Sequence, residues 1–272
     1  MSRFRNAAIS EPIADDVHLL TLYSPALRRR ADVTLYIPSG HQQEQLPLLI
    51  LLHGVYGSHW NWWGLGNVPQ TAHAMLNAGE IGPFAIAMPS DGLWGDGTAY
   101  VPHPNFNAES WIVEDVPQCL SEVLPQIRTD SFYLAGTSMG GFGALRLGMK
   151  YATRVRGISA HSAVTRLEDL MSFVTESVED YLSSGRENTE IEHWLKENRA
   201  ILPPLRFDCG REDSLLEGNR ALHALLLEQG VPHQYEEYDG GHTWDYWKLH
   251  VRRTLRFVSQ IEECASRINS IE

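Results

Sequence analysis

The sequence predicts an α/β protein built on a mostly parallel central sheet with helices on both faces. Three observations point there. Short apolar runs recur along the chain and alternate with longer segments of helical period. One run, LPLLILL from Leu46 to Leu52, is apolar almost throughout, as a strand buried on both faces must be. The stretch LAGTSMGGFGAL, Leu134 to Leu145, puts four glycines and two alanines in twelve residues where such a run meets a helical segment. Glycine costs a helix about 1 kcal/mol against alanine, so close approach outweighs helix stability at that junction.

Taken in order, Val17 to Tyr23 and Ala31 to Ile37 read as the first strands, the second alternating as Val33, Leu35 and Ile37. Leu46 to Leu52 follows, bounded by Pro47 and Gly54, and Thr71 to Ala78 reads as a helix. Phe84 to Met88 is the next strand. Asp91 to Asn107, rich in glycine, proline and aromatics, reads as a long loop. Glu109 to Gln126 is helical in pattern, Phe132 to Ala135 a strand, and Met139 to Tyr151 a helix. Gly157 to Ala160 and Leu205 to Cys209 are weaker strands. Leu215 to Gln229 is a helix stopped by Gly230, with Leu222, Leu225, Leu226 and Gln229 near one face. Gln234 to Tyr238 is the last strand and Thr243 to Cys264 the closing helix. Ala163 to Pro204 differs: long, polar, helical in pattern and closed by Pro203-Pro204. It reads as a helical insertion at about 163–204 in a single domain spanning 1–272, either a candidate cap or surface helices without a role.

The 272 residues fit one large domain, and 43% hydrophobic with 21% charged content is ordinary for a globular chain. A net charge of −12 repels phosphates, which argues against nucleic acid and anionic membranes as partners. Arg28-Arg29-Arg30 is the exception and reads as a solvated strand edge. Three cysteines, Cys119, Cys209 and Cys264, without CxxC spacing argue against a disulfide framework or a zinc knuckle. The N-terminus has no apolar signal-peptide core, and no run nears the roughly 18 apolar residues of a membrane span. The expectation is a cytoplasmic protein acting on a small molecule, with homo-oligomerisation left open.

Gly136-Thr137-Ser138-Met139-Gly140 is a G-x-S-x-G between a predicted strand and a predicted helix, the setting of a nucleophile elbow. A serine hydroxyl needs a base to take its proton, and a sheet of this kind places serine, acid and histidine in that chain order. Of the downstream histidines, His242 lies in the loop DGGHTW between the last strand and the closing helix. His193 and His223 fall inside predicted helices. His161 follows a strand and is a candidate for the mouth, and His250 is on the closing helix. The acid is expected after the preceding strand, in CGRED, where Asp213 leads Glu212. Asp208 lies within the strand, and Asp239 is close to His242 in sequence. A helix-capping role is the rival reading of Asp213. Oxyanion donors are expected from the backbone N–H of Met139 and, in the loop HGVYG, of Val55.

Together HGVYGSHWNW (His53 to Trp62), GTSMGGFGAL (Gly136 to Leu145), CGRED (Cys209 to Asp213) and GGHTWDYW (Gly240 to Trp247) resemble the "putative esterase" family of α/β-hydrolases. That family includes tributyrin esterases, S-formylglutathione hydrolases, feruloyl and acetyl-xylan esterases, and mycolyltransferases. The resemblance runs from about Asp15 to Val258; no motif in Ala163 to Pro204 matches. It implies Ser138 as nucleophile, Asp213 as acid, His242 as base, Val55 and Met139 as oxyanion donors, and a two-step acyl transfer with no metal and no cofactor. Although the chain has twelve histidines, it lacks H-E-x-x-H.

Seven of the eight tryptophans (Trp60, Trp62, Trp63, Trp94, Trp111, Trp244 and Trp247) fall in or beside predicted mouth loops. Aromatic faces bind sugars and aryl groups, and they also fill cores. His53, Tyr56, Trp62, Trp94, His161 and Trp244 are the candidate pocket residues. Glu168, Asp169, Glu176, Glu179 and Asp180 make the insertion acidic and unlike an oily lipase lid. The expected substrate is therefore a small, soluble, short-acyl ester, with carbohydrate and aryl esters included. The rivals are an S-formylglutathione hydrolase, an acyltransferase and a non-catalytic binding module of the same fold.

Overall fold

The computed structural model describes Phe4 and residues 7–41 and 43–269. Among these, eleven strands form: β1 (Ala8–Ile9), β2 (Val17–Ser24), β3 (Arg29–Tyr36), β4 (Leu48–Leu52), β5 (Ala85–Pro89), β6 (Pro102–His103), β7 (Phe106–Asn107), β8 (Phe132–Thr137), β9 (Val155–His161), β10 (Leu205–Gly210) and β11 (Gln234–Tyr238). Nine make the main sheet in the order β1-β2-β3-β5-β4-β8-β9-β10-β11, while β6 and β7 form a separate ribbon. From β5 to β11 every pairing is parallel; β1, β2 and β3 add on antiparallel at one edge. The parallel part is the part whose strands are linked by helices, since a parallel pair needs a crossover connection.

Among the described residues ten α-helical segments accompany the sheet: α1 (Asn61–Gly64), α2 (Val68–Asn77), α3 (Ala108–Ser110), α4 (Val116–Val123), α5 (Met139–Lys150), α6 (Leu167–Leu170), α7 (Arg186–Thr189), α8 (Ile191–Asn198), α9 (Leu216–Glu228) and α10 (Trp244–Asn269). None is long and apolar enough to cross a membrane. Successive residues of β4 show why both faces must be covered. Leu48, Ile50 and Leu52 join the core beneath α4, α5 and α9, and Leu49 and Leu51 join the core beneath α2 and α10.

Glu109 to Gln126 is not one uninterrupted α-helix. It starts as α3, widens into a π turn over Trp111–Asp115, and continues as α4 to Val123. Pro117 has no N–H to give a regular ladder. The buried Asp115 carboxylate accepts from Ser24 Oγ (2.5 Å) and the Ala26 N–H (3.0 Å) across the domain. Residues 163–204 fold as short helices and 3₁₀ turns between β9 and β10. Leu167, Leu170, Tyr181, Ile191 and Leu195 of this insertion are buried in the same core as α5, so it has no separate core.

Candidate active site

The strand-to-helix turn after β8 holds Ser138 at φ 56°, ψ −121°, a strained conformation for a residue with a side chain. Crowding explains its glycines. A Cβ on Gly136 would sit 2.3 Å from the Gly140 carbonyl oxygen, and one on Gly140 would sit 2.4 Å from that of Leu52. Those are backbone atoms of the elbow and of β4, with no side chain to swing aside. The Ser138 N–H donates to the His161 carbonyl at 3.1 Å, which ties the elbow to the end of β9.

His242, in the loop between β11 and α10, reaches Ser138 from the far end of the sheet. Its Nε2 lies 2.9 Å from Ser138 Oγ, and its Nδ1 lies 3.0 Å from each carboxylate oxygen of Asp213. Asp213 follows β10, is 6% exposed, and also accepts the Leu215 N–H at 2.9 Å through Oδ1. Burial pushes its pKa up, but the hydrogen bond and charge of His242, with the Leu215 N–H, outweigh that and leave it below the usual carboxylate value. Helix α9 begins only at Leu216, so Asp213 closes the turn before the helix and meets the imidazole at once.

Val55 follows β4 and Met139 opens α5. Among the described residues neither backbone N–H donates within the protein, whereas the next one, that of Tyr56, is bonded to the Asp96 carbonyl at 3.0 Å. Gly54 brings the β4 loop against the elbow: a Cβ there would lie 3.1 Å from Ser138 Cβ.

The six candidate pocket residues divide. Tyr56 is 69% exposed at the rim, and its hydroxyl donates to the Phe173 carbonyl. Three do not line a mouth. His53 is 2% exposed; it bonds Gly54 O through Nδ1 (2.7 Å) and accepts the Asp91 N–H at Nε2 (3.0 Å), bracing the β4 loop from inside. Trp62 is 1% exposed and donates Nε1–H to the Leu52 carbonyl, so it is core. His161 is wholly buried between Asp208 and Thr254, because α10 covers that end of β9. Trp94 packs in an aromatic group with His103, Phe106 and Tyr181. Trp244 lies half-buried against Trp62 and Trp247. Of the insertion's carboxylates, Glu168 pairs with Arg186 and Asp169 with Arg166, Glu176 accepts the Asp96 N–H, and Asp180 closes a capping box with Ser177. The residue the sequence reading missed is Phe173, whose ring stacks on His242 at 5.3 Å. Its signal was one of three aromatics, with Tyr181 and Trp194, in a polar segment.

A parallel sheet with helices on both faces, a strained serine at the β8–α5 turn, and an imidazole bridging that serine to a buried carboxylate define an enzyme of the α/β-hydrolase fold. The family model "Putative esterase" matches residues 24–258, and the chain belongs to that family: it is an esterase. An acetyl esterase of Caldicellulosiruptor saccharolyticus is 25% identical over 275 residues, covering 90% of this chain and 98% of that protein. Among solved structures, a ferulic acid esterase superposes with a TM-score of 0.79 at 24% identity, over 94% of this chain and 98% of its own. An S-formylglutathione hydrolase of Staphylococcus aureus superposes with 0.76 at 19% identity, over 92% and 98%. These two likenesses carry the fold.

Proposed function

We propose that the protein is a serine carboxylesterase that hydrolyses small, soluble, short-acyl esters through an acyl-enzyme. One observation carries this reading: a single imidazole lies 2.9 Å from Ser138 Oγ and 3.0 Å from the Asp213 carboxylate. In the first step His242 Nε2 takes the Ser138 proton as Oγ attacks the ester carbonyl. The Val55 and Met139 N–H groups receive the negative charge that develops on the carbonyl oxygen, and each such donor is worth about 2.7–4 kcal/mol. The imidazolium, steadied by Asp213, gives its proton to the departing alcohol. Water, activated by the same imidazole, then releases the acid. The acetyl esterase relative supports a short acyl group.

Purified protein is expected to hydrolyse p-nitrophenyl acetate and butyrate without added metal, and longer-chain esters more slowly. Ser138→Ala should lower kcat by about 10⁴-fold or more, because the three groups act as a unit, with an unchanged thermal transition. Retention of most activity by Ser138→Ala would remove Ser138 as nucleophile. A panel of acetylated sugars, feruloyl esters and S-formylglutathione then ranks the alcohol or thiol side.

A further inference from the structure

The segment after α6 crosses directly over the triad and is fastened there. The Asp96 carboxylate accepts both the Thr175 N–H (2.9 Å) and the Thr175 hydroxyl (2.8 Å). The Asp96 N–H donates to Glu176 Oε1 at 3.0 Å, and the Asp96 carbonyl accepts the Tyr56 N–H at 3.0 Å. Tyr56 in turn donates its hydroxyl to the Phe173 carbonyl, and the Tyr181 hydroxyl donates to the Gly97 carbonyl at 3.0 Å. One clasp thus joins three separate segments: the loop after β4, the Asp91–Asn107 loop and the insertion.

The clasp holds the Phe173 ring over the His242 imidazole, 5.3 Å between centroids and 24° between planes. A second ring, Trp247 from α10, meets the same imidazole at 4.9 Å and 89°. A histidine ring turns about χ2 in a broad well, and His242 stands on a loop, so without packing neighbours its hydrogen bonds to Ser138 and Asp213 would resist that rotation alone. Flanking rings oppose it by packing. A stack of ordinary strength biases such an equilibrium by about 2- to 10-fold.

We propose that Phe173 is a positioning residue for the base: clasped over the imidazole, it holds His242 in the orientation that bonds Ser138 and Asp213 together and keeps water from the Nδ1–H. The proposal rests on the triad reading above. It also makes the insertion a working part of the site. Substrate contact is a distinct role, and it would appear in KM.

The test is steady-state kinetics on p-nitrophenyl acetate, with the far-downfield proton resonance of His242 Nδ1–H read by NMR. Phe173→Leu keeps apolar bulk and loses the flat ring; it is expected to lower kcat about 5- to 10-fold, leave KM unaltered, and broaden the resonance through exchange with water. Phe173→Tyr should restore both. Asp96→Ala, which loosens the clasp without touching either ring, should reproduce the Leu phenotype, and it serves if Phe173→Leu fails to fold. Wild-type kcat and a sharp resonance in Phe173→Leu and Asp96→Ala overturn the proposal. So does a raised KM at unchanged kcat. If Ser138→Ala and His242→Ala remain active, the triad reading itself fails, whatever Phe173 does.

Discussion

Replacing Asp213 by asparagine separates the two jobs that its carboxylate performs. Oδ1 accepts the Leu215 N–H at 2.9 Å, and both oxygens lie 3.0 Å from His242 Nδ1. The amide can enter in two ways. With its oxygen kept at Oδ1, its NH₂ faces Nδ1, which must then be the acceptor. With the amide reversed, its NH₂ confronts the Leu215 N–H, two donors face to face in a site 6% exposed, at a cost of about 1–3 kcal/mol. The first arrangement wins. His242 then carries its proton on Nε2, pointing at Ser138 Oγ 2.9 Å away, and has no lone pair there to take a proton. The expected result is a fall in kcat of about 10⁴ with the melting temperature close to wild type, since the Leu215 bond survives. Asp213→Ala should lose the rate and also about 1 kcal/mol of stability, the usual net worth of a hydrogen bond such as the one from the Leu215 N–H. The assay is p-nitrophenyl acetate turnover per folded enzyme, beside a thermal melt of each variant. An Asn variant within tenfold of wild type, with an unchanged melt, would reduce Asp213 to a residue that closes a turn.

Gly140→Ala should gain helix propensity and still lose both stability, by about 1–3 kcal/mol, and nearly all turnover. Its Cβ would sit 2.4 Å and 2.6 Å from the Leu52 and His53 carbonyl oxygens, and relief means moving the two loops that carry the oxyanion donors. Gly148→Ala, whose Cβ meets first the Ile158 side chain, at 2.4 Å, should destabilise and leave kcat per folded enzyme near wild type; equal kcat losses in the two would refute the argument. For pH, burial holds His59, His103 and His250 below the usual imidazole value. The unfolded chain therefore takes up protons that the folded one refuses as pH falls through about 6.5, and the melting temperature should decline from pH 7 to pH 5. Asp208 and Asp213 are held below the usual carboxylate value, so their stabilisation is present above about pH 4 and lost further down; a melting temperature flat from pH 7 to about pH 5 would contradict the histidine assignment, and one flat from about pH 4 to pH 2 the carboxylate assignment.

The strands were legible because their apolar runs need nothing beyond local pattern. β11 has the bounds read from the sequence, and LPLLILL is buried on both faces as its composition requires. The elbow was legible for a related reason: glycines where a helix disfavours them report a clash that only backbone can cause. The interruption of the Glu109–Gln126 helix was not legible, because part of what fixes it, the Asp115 carboxylate, answers to Ser24 and Ala26 on a distant turn. Trp62 failed as a pocket marker for a similar reason. Trp62 and Trp244 sit in motifs that touch the site, yet aromatic content says nothing about which face of the loop is wet. Phe173 had no periodic partner and no motif, and its partner is an imidazole on a loop at the other end of the chain.

His161 teaches most, because the fold contains a second hydroxyl–imidazole–carboxylate chain built on it. His161 Nε2 lies 2.8 Å from Thr254 Oγ1, and its Nδ1 lies 2.9 Å from Asp208 Oδ2. Those distances match the Ser138 chain, so distance alone cannot be what makes a serine reactive. The surroundings differ. Asp208 also takes Arg206 at 2.5 Å and the Tyr246 hydroxyl at 2.8 Å, and the Thr254 hydroxyl is engaged with Ser159 at 2.6 Å. All three members are wholly buried. Thr254 also lies within α10, where the backbone N–H groups are spent on the helix itself. Ser138 instead stands at a helix start, beside the Val55 and Met139 backbone N–H groups that have no partner among the described residues, and the His242 side chain next to it is 20% exposed. The buried chain locks β9 and β10 to α10, and through the His161 carbonyl it holds the Ser138 N–H. The same three kinds of group thus brace the fold in one place and, on the function proposed above, supply the chemistry in the other; backbone strain at the serine and unspent N–H donors beside it set the two apart.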